Sequence, residues 1–267
     1  MKHSWLIVIL LAAAFCSSCI KEDRSGCPCL LRMEFETSDG SVPEGRLLVS
    51  VAGESFSWTE TVEPSALEGP IELKVPRSGV RVNLWSEDAA SMVVDGDGLV
   101  IPFGDDCPPV MMSSSSVDTD CECRSGKFPV LKNYCHLTVV MEDGDAGYPY
   151  DMSVSGNVDG YGIDGLPRHG RFCHYLPFES SPSSDSVDQF TRDIFLPRQS
   201  DSSLMLEISE NASVLKTFAI GNYIAQSGYD WTGEELEDIV VRIDYACTRI
   251  EITVGDWKNS YDVDIEF

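Results

Sequence analysis

Cys19 stands directly after Ser17 and Ser18 and just ahead of the charged run Lys21-Glu22-Asp23-Arg24. A thiol preceded by small side chains is the nucleophile that lipoprotein processing acylates and then exposes as a new N-terminus. The residues leading up to it agree. Lys2 and His3 make a basic start, and Trp5 to Phe15 is an apolar run of 11 residues, the length of an export signal. A helix that spans a bilayer needs roughly 20 apolar residues. Cys16 is the competing acceptor, but bulky Phe15 precedes it. The sequence therefore predicts a signal peptide over residues 1–18 and a covalent lipid on Cys19. One acyl chain holds a protein to a membrane only marginally, whereas two or three make release negligible. An ordinary secretory signal cut near Ser18 would instead leave Cys19 as a half-cystine.

Of the ten cysteines, eight remain beyond Cys16 and Cys19: Cys27, Cys29, Cys107, Cys121, Cys123, Cys135, Cys173 and Cys247. An even set in an exported chain points to disulfides, although eight cysteines allow 105 pairings that sequence does not resolve. Cys27-Pro28-Cys29 and Cys121-Glu122-Cys123 could be read as halves of a four-thiolate zinc site. Such sites usually place two residues between the ligands rather than one, and an oxidising compartment competes for the thiols. Disulfides or unpaired buried thiols are expected, and no metal.

Catalytic patterns are missing. His136, His169 and His174 occur without a His-Glu-x-x-His or Gly-x-Ser-x-Gly motif. Asp95-Gly96-Asp97-Gly98 opens like a calcium loop, but Val100 and Pro102 occupy the next ligand positions, so a hairpin turn is expected there. Tyr148, Tyr150 and Tyr161, or Tyr223, Tyr229 and Trp231, have side chains that stack on sugar rings, yet aromatics are equally expected on sheet faces. The chain is expected not to be an enzyme and to carry no cofactor beyond the lipid on Cys19.

The elements that position these residues are mostly strands. Short segments with period-two alternation or β-branched runs, split by Gly, Pro, Asp and Ser, cover Arg46–Ala52, Ile71–Val75, Val80–Ser86, Leu99–Phe103, His136–Glu142, Met152–Ser155 and Phe190–Leu196. Further ones cover Leu204–Ser209, Val214–Ile220, Ile239–Tyr245, Ile250–Val254 and Tyr261–Phe267. One helix is expected over Trp231–Glu237, with Thr232 as N-cap and Glu234 and Glu235 in the first turn. The fold class is therefore all-β, built from antiparallel β-sandwiches. The 249 residues after Ser18 suffice for two domains. Ser113 to Pro129, with its four serines, Gly126 and Pro129, reads as the break between them. The expected organisation is a signal peptide (1–18), a lipidated tether (19–30), a first sandwich (31–130) and a second (131–267). Glu179 to Asp188 reads as a surface loop.

Hydrophobic residues at 43 % and charged residues at 24 % describe a globular chain rather than a disordered stalk. The formal net charge of −25 repels phosphate backbones, so nucleic acid is excluded as a partner.

The start Cys19-Ile20-Lys21-Glu22-Asp23-Arg24-Ser25-Gly26-Cys27-Pro28 resembles that of the FimB-like fimbrial anchor lipoproteins of Bacteroidales. So do Ile220-Gly221-Asn222-Tyr223-Ile224, Gly228-Tyr229-Asp230-Trp231, the stretch from Leu236 through Asp238-Ile239-Val240-Val241 to Ile243-Asp244-Tyr245, and Ile252, Val254 and Trp257. The resemblance implies two tandem transthyretin-like β-sandwich domains and a place at the base of a type V pilus. It also implies an outer-membrane lipoprotein, exposed at the cell surface, that holds the fimbrial shaft and limits its length. Lys21, Glu22 and Asp23 resemble the signal that sends lipoproteins of this group to the outer leaflet, and Asp185-Ser186-Val187 resembles an O-glycan acceptor with the sugar on Ser186. The implied partners are the shaft pilin and other fimbrial subunits, joined by strand addition. Val263, Ile265 and Phe267 alternate with acids and form either a domain-completing or a donated strand. A surface glycan-binding lipoprotein and a tip or shaft subunit remain as alternatives.

Overall fold

The computed structural model describes residues 26–95, 98–142, 150–162, 165–176, 190–244 and 249–262. In chain order its strands are β1 (Cys29–Thr37), β2 (Leu47–Gly53), β3 (Phe56–Val62), β4 (Ile71–Val75), β5 (Val80–Ser86), β6 (Val93–Asp95), β7 (Gly98–Val100), β8 (Met111–Val117) and β9 (Cys123–Lys132). They continue as β10 (Tyr134–Glu142), β11 (Asp151–Gly162), β12 (Pro167–Leu176), β13 (Phe190–Pro197), β14 (Met205–Glu210) and β15 (Ser213–Phe218). Helix α1 (Ile220–Gln226) precedes β16 (Ile239–Asp244), β17 (Arg249–Val254) and β18 (Trp257–Asp262). The chain is all-β, as its alternating pattern predicts.

The strands wrap two cores. The first is enclosed by the order β3-β2-β5-β8-β9-β1-β4. Leu31, Met33 and Phe35 of β1 point inward while Arg32, Glu34 and Glu36 do not, and they meet Val49, Val51, Val82, Leu84, Phe128 and Val130. Strand β9 closes this layer arrangement. It runs parallel to β1 from Leu30↔Cys123 to Thr37↔Val130, and its last residues turn to pair antiparallel with β8 at Met111↔Lys132 and Met112↔Leu131.

The second core lies between a five-stranded sheet, β13-β10-β16-β17-β18, and a sheet ordered β15-β14-β11-β7-β6, with β12 also on β11. Leu137, Val139, Val241, Ile243 and Ile252 come from the first of these sheets, and Val154, Phe172, Leu206 and Ile208 from the second. Most ladders are antiparallel, but β10 and β16 run parallel, as do β1 and β9.

Several expectations need correction. Ser113 to Pro129 is not a linker, because it holds most of β8 and β9. The serines suit a strand that crosses from one core to the other: Ser114 donates its hydroxyl proton to Asn83 Oδ1 at 2.6 Å, and Asn83 is buried on β5. Strand β5 is covered on both faces, with Leu84 in the first core and Trp85 in the second. The stretch from Ala89 to Val110 precedes residue 130 in sequence yet packs into the second core, and β7 pairs with β11. Strands β6 and β7 pair directly, Asp95 opposite Gly98, as the hairpin reading predicts.

The helix also lies elsewhere. It spans Ile220–Gln226, taking Ile220 from the end of an expected strand, and it buries Ile220, Gly221 and Ile224. Gly221 permits the close approach, since a Cβ there would lie 2.4 Å from the Ser202 carbonyl oxygen. Trp231–Glu237 is irregular instead. Asp230 Oδ1 accepts from the Thr232 N–H at 2.8 Å and its hydroxyl at 2.6 Å, and the Trp231 and Gly233 carbonyls accept from Arg198, which takes them out of helical bonding.

Candidate docking surfaces and the base of the tether

Cys16, Cys19, Lys21, Glu22, Asp23, Ser186, Cys247 and the alternating run from Val263 to Phe267 lie outside the described residues. What the structure shows is where such a tether would join the fold. Cys29 is the first residue of β1, a strand flanked on both sides, by β9 and β4. Cys27 is exposed two residues earlier, while Cys29 is fully buried. Its sulfur sits 3.9 Å from that of Cys121, and the Leu30 N–H donates to the Glu122 carbonyl at 2.9 Å. Burial first, then the Cys121 thiol beside it, pushes the Cys29 thiol up to about 11.

The two Cys-x-Cys segments therefore meet, but only one sulfur from each faces the other; Cys27 and Cys123 are exposed. Among the described residues no group of three or more His, Cys, Asp or Glu side chains converges as metal ligands would. Cys107, Cys135 and Cys173 are buried free thiols. Burial pushes Cys135 up to about 12, and its thiol faces the Glu237 carbonyl at 3.3 Å.

The histidines are dispersed. His136 Nε2 lies 3.3 Å from Asp193, and its ring packs on Phe195. His174 Nδ1 is 3.1 Å from the Gly104 carbonyl oxygen, and His169 pairs with Val158 across β11 and β12. Tyr161 is fully buried, Tyr223 stacks on Tyr261 with centroids 4.5 Å apart, and Tyr229 packs on Trp231 at the same separation. Most of the aromatics singled out by sequence thus serve the core and its rim.

Three surface features offer contacts. Strand β15 ends its sheet, pairs only with β14 among the described residues, and exposes Val214 and Leu215 at 56 % and 50 %. Leu215 and Val214 thus lie on a strand that ends its sheet among the described residues, the kind of position where another strand can add. On β12, Tyr175 meets Phe103 edge-on at 6.4 Å, with the Arg171 guanidinium 4.7 Å over the Phe103 ring. A third feature is a cavity of about 280 Å³ lined by Tyr229, Asp230, Glu235, Glu237 and Trp257 among others. Aromatic rings and carboxylates lining one cavity are groups that can stack on and hydrogen-bond a sugar ring. Sequence reasoning picked out Tyr229 and expected a strand over Val214–Ile220, but that this strand ends its sheet follows only from its pairing with β14.

No family model matches the chain, and no curated protein matches it by sequence. Solved structures do match. The fimbrial anchor protein Mfa2 from Porphyromonas gingivalis superimposes with a TM-score of 0.65 at 12 % identity, covering 88 % of this chain and 100 % of that one. A candidate polysaccharide-binding protein from Bacteroides thetaiotaomicron gives 0.62 at 11 % identity, covering 88 % of this chain and 98 % of that one. A candidate adhesin from Bacteroides ovatus gives 0.60 at 13 % identity, with 88 % and 96 % covered. At these identities the likeness establishes a shared fold that extends over both cores.

Proposed function

We propose that this chain is a FimB-like fimbrial anchor: a lipoprotein held in the outer membrane through Cys19, exposed at the cell surface, that fixes a type V fimbria to the cell and limits its length. The observation that carries this reading is the fold shared with a fimbrial anchor protein along that protein's whole length, joined to a lipoprotein-type start. Its work is binding and assembly rather than catalysis. The partners are the shaft pilin and other fimbrial subunits, and contact is by strand addition, in which a donated segment satisfies a sheet edge and its side-chain pockets. Edge β15 is the site assigned to that contact, because among the described residues it pairs only with β14 and it carries the exposed apolar side chains Val214 and Leu215. Length control follows from the tether: a subunit fixed in lipid ends the polymer at the membrane.

Deletion of the gene tests this. Longer fimbriae shed into the culture fluid are expected by electron microscopy, and Cys19→Ala should reproduce the effect because it keeps both cores and loses the membrane. Normal, cell-bound fimbriae in the deletion strain would overturn the anchor reading. Leu215→Lys, which leaves the cores intact, should weaken capture of the shaft pilin.

A glycan-binding role is a second reading, favoured by the cavity beside Tyr229 and Trp257. It predicts thermal stabilisation by an added oligosaccharide, lost in Trp257→Ala, and no change in fimbrial length.

A further inference from the structure

We propose that Cys29 and Cys121 form a disulfide that locks the start of β1 to the segment leading into β9. The two sulfurs lie 3.9 Å apart, in contact but unbonded. The backbone brings the two segments together: the parallel ladder sets Leu30 opposite Cys123, and the Leu30 N–H donates to the Glu122 carbonyl at 2.9 Å, each a chain neighbour of one of the thiols. Of the other described buried thiols, Cys107 faces the Pro108 carbonyl at 3.3 Å and Cys135 that of Glu237 at 3.3 Å, while Cys173 lies beside Tyr175; Cys121 also reaches the Cys123 carbonyl at 3.3 Å.

Bond formation needs an oxidant, here a disulfide compound such as glutathione disulfide or an oxidised dithiol protein of the export compartment. Cys121 is partly exposed, whereas Cys29 is buried with a thiol pushed up to about 11, so Cys121 is the first attacker. Its thiolate attacks a sulfur of the oxidant, forming a mixed disulfide and releasing one reduced thiol. Cys29 then gives up its proton and attacks Cys121 Sγ. The Cys29–Cys121 bond forms, the mixed disulfide breaks, and a second reduced thiol departs. The two protons given up by Cys121 and Cys29 end on the two departing thiols, and two electrons have reduced the oxidant's disulfide.

The consequence is mechanical. β1 is the strand that a membrane tether would pull, and its first residue is where peeling would begin. A covalent link at Cys29 passes that load to β9, which is held by both β1 and β8. This mechanical role rests on the anchor reading, but the bond does not, and fimbrial length in the deletion strain tests the anchor reading separately.

The experiment uses the mature chain isolated from membranes in detergent and equilibrated with glutathione disulfide. The variant Cys27→Ser/Cys123→Ser, changed only at exposed positions, removes ambiguity from peptide mapping. A cross-linked pair of peptides holding Cys29 and Cys121 is expected, 2 Da lighter than the sum of the reduced peptides. Reduction should lower the melting temperature by an amount on the order of 10 °C, since the bond closes a loop spanning 92 positions. Cys121→Ala should fold and show no such response. Recovery of both thiols in alkylated form after equilibration, or either one bonded to another cysteine, would overturn the proposal.

Discussion

Arg198, just beyond β13, donates its Nε proton to Oδ1 of Asn133, the residue that joins β9 to β10. Asn133 lies where the chain passes from one core to the other, and its N–H, its carbonyl and its Oδ1 are all hydrogen-bonded. Its N–H donates to the Val110 carbonyl at 3.1 Å, and its own carbonyl accepts from the Tyr161 hydroxyl. Arg198 also donates to the Trp231 and Gly233 carbonyls, the latter at 2.8 Å. One half-buried guanidinium thus ties the inter-core junction to the irregular stretch before β16.

Removing either partner leaves the other's polar atoms buried and unpaired. Asn133→Ala and Arg198→Leu should each destabilise by about 1–3 kcal/mol, and the double variant by clearly less than the sum. Urea unfolding midpoints check this. Strict additivity would show that the pair is not coupled.

Gly160 has φ of +154°, and a Cβ there would lie 2.0 Å from the Leu99 carbonyl oxygen. Gly160→Ala should therefore push β7 away from β11, at a cost of about 1–3 kcal/mol. Gly69→Ala, where nothing lies within 4 Å, should be nearly silent. Limited proteolysis reads the difference: cleavage between β5 and β8 should speed up in the first variant alone.

Asp39 sits in the turn after β1. The Thr37 hydroxyl donates to its Oδ1 at 2.5 Å and the Ser41 N–H at 2.9 Å, and these bonds hold its carboxyl down to about 2, the Thr37 bond contributing most. A carboxylate with a depressed folded pKa stabilises the fold above its unfolded value of roughly 3.9, and that contribution is lost as pH falls toward 2. NMR titration of the Asp39 carboxyl should give a midpoint near 2, moving upward in Thr37→Val. An unchanged midpoint in that variant would remove the Thr37 hydroxyl as the cause.

Membrane fractionation addresses the lipid. Cys19→Ala should move the protein to soluble fractions and Cys16→Ala should not, because Ser17 and Ser18 precede only Cys19. Equal membrane retention of both variants would defeat the assignment. Neutralising Lys21, Glu22 and Asp23 together should leave the protein lipidated but shielded from external protease.

Ser186 is proposed as an O-glycan carrier on the strength of the Asp185-Ser186-Val187 triplet. The intact mass should exceed that of the lipidated polypeptide and fall to it in Ser186→Ala. Equal masses in the two proteins would dispose of the glycan.

Strands whose side chains alternate cleanly are legible by that alternation, as with Ile71–Val75, where expected and observed bounds coincide; the bounds of Val80–Ser86 coincide too, although adjacent Leu84 and Trp85 are both buried. β1 carries the same signal, Leu31, Met33 and Phe35 against Arg32, Glu34 and Glu36, but is not among the strands expected. Strands β8 and β9 had no such signal. Serine is neutral to period, and only contact with Asn83 on one side and β1 on the other makes Ser113–Ser116 and Gly126–Pro129 into strands.

By itself the sequence determined what depends on residue type and near neighbours, the all-β class, and from the same local signals comes the expectation of acylation at Cys19. Tertiary structure alone decided what depends on contacts between distant segments. It set helix α1 at Ile220 rather than Trp231, because burial of Ile220 and Ile224 outweighs a local cap, and Arg198 takes the carbonyls a second helix would need. It also chose, from many possible pairings, the one that brings Cys29 to Cys121, since two thiols 92 positions apart are neighbours only once β1 and β9 share a ladder.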